Sequence, residues 1–127
     1  KINNNNSVSI WGDGSPMREF LYVDDMADAC IHIMSFADDT YDSYTKPALS
    51  HINIGSGVDL SIRELAETIK EVVGYKGKFT FDTTKPDGPP RKLVDSSRIR
   101  SMGFDECILD LEESLYRTYQ WFLNNIN

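Results

Sequence analysis

The stretch that decides the fold is His51–Gly74, HINIGSGVDLSIRELAETIKEVVG. Its first five residues are typical of a short strand, and the glycines at 55 and 57 predict a tight turn. Ser61 and Glu64 have the spacing of a capping box, which starts a helix, and Gly74 suits the position after its end. The apolar positions between them repeat with helical spacing and are Ile62, Leu65, Ala66, Ile69, Val72 and Val73. A strand followed by an amphipathic helix is the unit from which α/β domains are built.

Three further segments have the composition of strands. Ser7–Trp11 is rich in strand formers and ends at a glycine-containing turn, and Phe20–Val23 is a short apolar run. Lys78–Asp82 alternates apolar and polar residues, which predicts that Phe79 and Phe81 share a buried face.

Three further helices are indicated by apolar spacing, over residues 25–37, 96–102 and 111–124. Asp24 is expected to cap the first of them, and Asp110 starts the last with box-like spacing. The predicted fold class is therefore α/β, one small domain of short strands with three to four helices.

Two segments are predicted to be connections. Residues 38–50 are polar and contain one proline, which indicates a surface loop. Residues 83–92 contain three prolines and a glycine and therefore suit neither a helix nor a central strand.

Composition excludes several classes of protein. The 127 residues carry a net charge of −7, so a nucleic-acid partner is not expected. No run of 18 apolar residues occurs, which argues against a membrane span. Cys30 and Cys107 have neither metal-binding nor disulfide spacing, so we expect a reduced, cytoplasmic protein. Lys1–Ser7 lacks the apolar core of a signal peptide and has no initiator Met, so we expect a fragment.

Positive charge is concentrated in one window of this acidic chain. Residues 76–100 contain seven basic and three acidic side chains. The window is either a solvated face or a site for a small polyanion such as a diphosphate.

The first segment with candidate functional residues is WGDGSPMREF, residues 11–20. Trp11 stands at a strand end, Gly12 and Gly14 would let the backbone approach a ligand, and Arg18 could bind phosphate through its two-pronged guanidinium. The structural alternative is a glycine-rich hairpin with Trp11 in the core and Arg18 paired to a neighbouring carboxylate, Glu19 or Asp24.

The second candidate segment is KPDGPPRK, residues 85–92. Its prolines stiffen the chain, so Asp87, Arg91 and Lys92 would lose less entropy on binding a ligand. The alternative is a rigid surface connector.

Two patterns of chemistry are absent from the sequence. Neither glycine pair continues to a third glycine, because Met17 and Leu60 occupy those positions, so no dinucleotide-binding fingerprint is present. No Tyr is followed four residues later by Lys, and His32 and His51 lack a partner at metal spacing.

The run WGDGSPMREFLYVDDMADA, residues 11–29, resembles the start of the substrate domain in extended short-chain dehydrogenases/reductases. Residues 50–57 and 61–66 resemble the same family, and the likeness covers nearly the whole chain from Val8 onward. The combination of W-G-x-G-x-P-M-R with K-P-D-G at 85–88 is more specific and resembles members that act on GDP-sugars.

The resemblance implies a two-domain enzyme of which residues 1–127 are the C-terminal nucleotide-sugar-binding domain. The missing N-terminal Rossmann domain would bind NADP(H) and supply every catalytic residue, so the fragment alone would be inactive. The full-length enzyme would be a homodimer formed through that domain, and the fragment is expected to be a monomer.

Four residues match the family's substrate contacts. Trp11 would line the sugar-nucleotide pocket, Arg18 would meet the diphosphate, Asp87 would hold a polar group of the nucleotide, and Lys92 would add a second basic contact. Two alternatives stay open: a related enzyme acting on a UDP- or dTDP-sugar, and a non-catalytic module that binds nucleotide sugars or a protein partner.

Overall fold

A computed structural model describes residues 5–104 and 109–126. Short strands alternate with helices along these residues, which confirms the α/β class. The elements are β1 (Ser7–Trp11), β2 (Met17–Glu19), α1 (Val23–Met34), α2 (Asp38–Tyr44), β3 (Asp59–Ser61), α3 (Ile62–Val73), β4 (Lys78–Asp82), β5 (Arg91–Lys92), α4 (Ser97–Ser101) and α5 (Leu111–Asn125).

The described strands form two small sheets. In the first, β1 and β4 run parallel, in a register that sets Trp11 opposite Asp82. In the second, β2 is the central strand, antiparallel to β3 and parallel to β5. Arg18 on β2 therefore stands between Leu60 on β3 and Lys92 on β5. Side chains at paired positions share a face, so Arg18 and Lys92 emerge on the same side of the sheet.

Helix α3 follows the sequence prediction at both ends. The Ser61 hydroxyl accepts the backbone N–H of Glu64 at 3.1 Å, and the Ser61 N–H donates to the Glu64 carboxylate at 2.8 Å. These hydrogen bonds from Ser61 hold the pKa of Glu64 below its usual value. Gly74 ends the helix with a φ of 66°, a left-handed conformation that glycine adopts without strain. Asp110 likewise starts α5 by accepting the N–H of Glu113, as predicted.

The core is small. The buried apolar residues of the described part are Ala29, Ala66, Tyr75, Ile99 and Met102. Large apolar side chains stay exposed instead, most clearly on α1, where Met34 is 83% and Val23 69% exposed. An apolar face of this kind marks a contact surface.

The predictions for α1 need correction. The second strand is Met17–Glu19, not Phe20–Val23, because pairing with β3 and β5 selects those three residues. The helix begins at Val23 and ends at Met34, and no side chain caps its first turn, so Asp24 is not the cap. Asp25 is buried instead and accepts the N–H of Leu109 at 3.0 Å, which ties the start of α5 to α1.

Two further segments differ from expectation. Residues 38–50, predicted as a loop, contain helix α2, whose first turn carries two aspartates that favour a helix N-terminus. His51–Gly55 is not a strand. Side chains from residues 96 and 98 replace the backbone pairing, because Arg98 donates to the carbonyl of His51 and Ser96 to that of Gly55.

The proline-rich segment agrees with its prediction, and one of the two cysteines lies outside the described residues. Within 83–92 only the two residues of β5 are extended, at a sheet edge, as the prolines require. Cys30 is free and exposed, whereas Cys107 lies outside the described residues. Across residues 5–104 and 109–126, no helix has the length and apolarity to cross a membrane, and no three His, Cys, Asp or Glu side chains cluster as metal ligands.

Candidate functional site

The turn after β1 and the loop before β5 pack against each other and form the candidate site. Gly12 has a φ of 77°, and its N–H donates to the carbonyl of Asp82 at 2.9 Å. A Cβ at this position would lie 1.8 Å from an Asp87 carboxylate oxygen. The close approach of the two segments therefore requires glycine at position 12.

Asp87 joins the two segments by hydrogen bonding. Its two carboxylate oxygens accept the backbone N–H of Asp13 at 3.2 and 3.3 Å. Asp13 is fixed in turn, because its own carboxylate accepts the N–H of Ser15 at 2.7 Å, and hydrogen bonding by Ser15 lowers the pKa of Asp13. A backbone N–H group, rather than a cationic side chain, thus attaches the loop to the turn. The cationic side chains stay available to a ligand.

Trp11 presents a bare aromatic surface at the end of β1. Its side chain is 69% exposed, so the alternative of a core tryptophan is wrong. The Lys85 ammonium lies 5.7 Å from its ring centroid, within reach of a cation–π interaction. The Lys85 backbone N–H donates to the carbonyl of Asp82, which is the strand partner of Trp11. This hydrogen bond closes a turn after β4 that brings Lys85 next to the Trp11 ring.

Arg18 lies half-buried on the central strand of the second sheet, on the same face as Lys92. A Cβ on Gly88 would be 2.8 Å from its guanidinium, so Arg18 lies directly against the loop. One guanidinium nitrogen donates to the carbonyl of Met17 at 2.6 Å. In the described residues no carboxylate lies within 4.0 Å of Arg18, which contradicts the expected structural pairing with Glu19 or Asp24.

Glu19 accepts hydrogen bonds from other parts of the chain instead of pairing with Arg18. Its carboxylate accepts the backbone N–H groups of Gly57 at 2.6 Å and Val94 at 3.2 Å, and the Ser56 hydroxyl at 3.2 Å. It thereby joins β2 to two other segments of the chain. The glycines at 55 and 57 are part of this turn, in agreement with the interpretation that they serve tight turns.

Five of the seven basic residues in the window at 76–100 divide into two groups. Arg91 pairs with Asp59 across the second sheet, and this contact lowers the pKa of Asp59 and raises that of Arg91. Arg98 and Arg100 donate to backbone carbonyls. These three arginines hold the fold together. Lys85 and Lys92, with Arg18, are the cations of the site.

The structure thus brings Trp11, Arg18, Asp87 and Lys92 to one region, the edge made by the turn and the loop. The sequence analysis did not single out Lys85, because only the fold shows that it returns to Trp11. It also missed Arg63, which contacts the turn from helix α3. The only signal for Arg63 was its place in the first turn of a capped helix.

Known proteins of similar sequence and structure define the class of this fold. Residues 1–55 match the model of the NAD dependent epimerase/dehydratase family. A GDP-6-OMe-4-keto-L-xylo-heptose reductase from C. jejuni superposes with a TM-score of 0.84 at 36% identity, over 95% of this chain and 35% of that one. A GDP-mannoheptose C4 reductase from Campylobacter jejuni with NADP bound gives 0.78 at 37% identity, over 93% of this chain and 35% of that one. The chain thus shares the mixed α/β fold of these GDP-sugar reductases over about a third of their length.

Within that class the chain is similar to the C-terminal part of GDP-L-fucose synthases. It is 58% identical to GDP-L-fucose synthase of Escherichia coli over 93% of its own length and 36% of the relative's. Putative GDP-L-fucose synthase 2 of Arabidopsis thaliana is 52% identical over 99% of this chain and 35% of its own. The chain spans about a third of the length of these relatives.

Proposed function

We propose that the full-length protein is an NADPH-dependent GDP-4-keto-6-deoxy-D-mannose 3,5-epimerase/4-reductase that makes GDP-L-fucose, and that this chain binds the GDP part of the substrate. The observation that carries the proposal is the 58% identity to a GDP-L-fucose synthase. The geometry supports it, because Arg18 has no carboxylate partner within the described residues and shares a face with Lys92. A half-buried arginine of this kind suits a diphosphate.

Each site residue has a role that its chemistry suits. Trp11 offers an exposed ring for a nucleobase or sugar to pack on. Arg18 and Lys92 offset the charge of the diphosphate. Among the residues that the structure describes, Asp87 accepts one backbone N–H, so its carboxylate keeps lone pairs for a donor group on the nucleotide.

The reaction needs groups that this chain does not carry. Proton transfer at C3 and C5, the carbons next to the 4-keto group, would invert both centres, and a bound NADPH would supply the hydride that reduces C4. The sequence contains neither the dinucleotide fingerprint nor Tyr-x-x-x-Lys. We assign the cofactor and the catalytic residues to an N-terminal Rossmann domain that packs on the apolar face of α1. This chain contributes positioning, by holding the remote nucleotide so that the sugar reaches the nicotinamide.

The remaining features follow from the same proposal. The full-length protein is a cytoplasmic homodimer assembled through its N-terminal domain, and neither nucleic acid nor a membrane is its partner. The isolated chain has no activity.

The test follows NADPH consumption by the full-length protein with GDP-4-keto-6-deoxy-D-mannose, and with a UDP-sugar as the control. Turnover with the GDP substrate and formation of GDP-L-fucose are expected. A folded, NADPH-binding protein that turns over only another nucleotide sugar would move the assignment to a different extended reductase or epimerase. A protein that binds GDP-sugars but never consumes NADPH would instead be a non-catalytic binding module.

A further inference from the structure

Arg63 ties the first turn of helix α3 to the turn at 12–16. Its backbone N–H donates to the carbonyl of Gly14 at 3.0 Å, and its guanidinium donates to the carbonyl of Asp13 at 2.6 Å. The first N–H groups of a helix lack partners within the helix, so the turn also satisfies a donor that α3 leaves free. One residue of α3 therefore holds the backbone carbonyls of two consecutive residues, Asp13 and Gly14.

Phe81 on β4 completes this contact. The central carbon of the Arg63 guanidinium lies 3.7 Å from the Phe81 ring centroid, a close cation–π stack. A Cβ on Gly14 would lie 2.5 Å from the same ring. Phe81 is thus in contact with Arg63 and with the turn, and a shift of the turn would disturb both the stack and the hydrogen bond.

Asp13 connects Arg63 to the candidate site. Its carbonyl accepts the Arg63 guanidinium, and its N–H donates to the Asp87 carboxylate. The Arg63 guanidinium and the Asp87 carboxylate both bind the backbone of Asp13, so the position of Asp13 sets the position of Asp87. Trp11 is two residues earlier, at the end of β1, so the same turn begins directly after it.

We propose that Arg63 is a positioning residue for the nucleotide site: stacked on Phe81, it fixes Asp13 and thereby preorganises Asp87 and Trp11 for the GDP moiety. This inference rests on the proposed function for the identity of the ligand. The role requires arginine, because the planar guanidinium stacks on the ring and donates in its own plane at the same time. A lysine ammonium keeps the charge but has no flat face.

The chain offers a matched control on the same helix. Lys70 lies 5.3 Å from the ring centroid of Phe79, the other inward phenylalanine of β4, and pairs with Glu67. Lys70→Met therefore removes a cation–aromatic contact between the same two elements without a hydrogen bond to the turn. Any effect specific to Arg63→Met comes from its contact with residues 12–16.

The experiment compares Arg63→Met, Arg63→Lys and Lys70→Met in the full-length protein. GDP affinity is measured by calorimetry, NADPH affinity by fluorescence, and amide hydrogen exchange over residues 11–18 by mass spectrometry. We expect Arg63→Met to weaken GDP binding by roughly three- to tenfold, the loss that follows when a site must be ordered on binding. Exchange at residues 12–15 should accelerate, NADPH affinity should stay unchanged, and Arg63→Lys should restore only part of the loss.

Equal GDP affinity in the Arg63→Met and Lys70→Met proteins would overturn the inference, as would full rescue by Arg63→Lys. If Arg63→Met fails to fold, the Arg63→Lys and Lys70→Met proteins make the same comparison. If the unmodified protein binds NADPH but not GDP, the proposed function is wrong. Amide exchange then still tests the positioning, and unchanged exchange at residues 12–15 in the Arg63→Met protein would refute it.

Discussion

Substitution of Gly12 separates the packing of the site from the general cost of a left-handed backbone. The residue has a φ of 77°, and its added Cβ would lie 1.8 Å from an Asp87 oxygen. Real Cβ atoms do not approach within 3.0 Å, so Asp87 must retreat by at least about 1.2 Å in a Gly12→Ala protein. Its hydrogen bonds from Asp13, already 3.2 and 3.3 Å long, would be lost.

Gly74 provides the matched control for Gly12. It also has a positive φ, 66°, but no atom lies within 4 Å of its added Cβ. Gly12→Ala and Gly74→Ala should therefore both lose about 1–2 kcal/mol of unfolding free energy from backbone strain. Only Gly12→Ala should also weaken GDP binding, by about tenfold, since a hydrogen bond from the nucleotide to the displaced Asp87 carboxylate is worth roughly 1.5–3 kcal/mol.

The assay measures both quantities on the full-length protein. Denaturant unfolding gives the free energy, and calorimetric titration with GDP gives the affinity. If the Gly12→Ala protein binds GDP as well as the Gly74→Ala protein does, the contact between turn and loop does not shape the site, and the reasoning is refuted.

Three other substitutions test separate parts of the argument. Arg18→Ala should weaken GDP binding by roughly 1.5–3 kcal/mol with little change in stability; lost stability with unchanged calorimetric affinity would make Arg18 structural. Ser61→Ala should lower the unfolding free energy by about 1 kcal/mol. Because Ser61 lowers the pKa of Glu64, the stability from this pair is present above the unfolded pKa and is lost as pH falls through the folded pKa. The effect of Ser61→Ala should therefore shrink in acid, and a pH-independent difference in denaturant midpoint would contradict this. A Val23→Ser/Met34→Ser double substitution should lower the melting temperature of the full-length protein, whereas an unchanged value would show that α1 is not the domain contact.

The elements that the sequence predicted correctly are those whose signals are local. Ser61 and Glu64 exchange hydrogen bonds within one turn, and Asp110 reaches only to Glu113. Gly74 ends its helix through its own backbone conformation. None of these contacts depends on a distant part of the chain, so residue spacing is enough to find them.

The errors occurred where partners far along the chain decide the structure. The second strand was predicted at the apolar run 20–23, but β2 lies at residues 17–19, because those residues pair with residues 59–61 and 91–92. The strand expected at 51–55 is absent, because side chains of α4 and its N-cap take its carbonyls. Asp24 was expected to cap α1, but no side chain caps that helix, and the neighbouring Asp25 accepts the N–H of Leu109, 84 residues away.

The candidate site shows the same division. The motifs and the family resemblance that they carry identified Trp11, Arg18, Asp87 and Lys92, and the structure brings these residues together. The sequence could not reveal that Asp87 is held by the Asp13 N–H, that Lys85 lies beside Trp11, or that Arg63 supports the turn. Their roles in binding remain predictions.

An acidic protein can bind a dianion when the carboxylates near the site are engaged elsewhere. At physiological salt, charges beyond about 8 Å are largely screened, so the overall charge of −7 matters less than the nearest side chains. Around this site Asp13, Asp87 and Glu19 each accept backbone N–H groups, whereas Arg18 has no carboxylate partner in the described residues. Backbone dipoles offset the local negative charge, which leaves the cations of Arg18, Lys85 and Lys92 for a ligand. The prolines that flank Asp87 limit the entropy lost when that ligand binds.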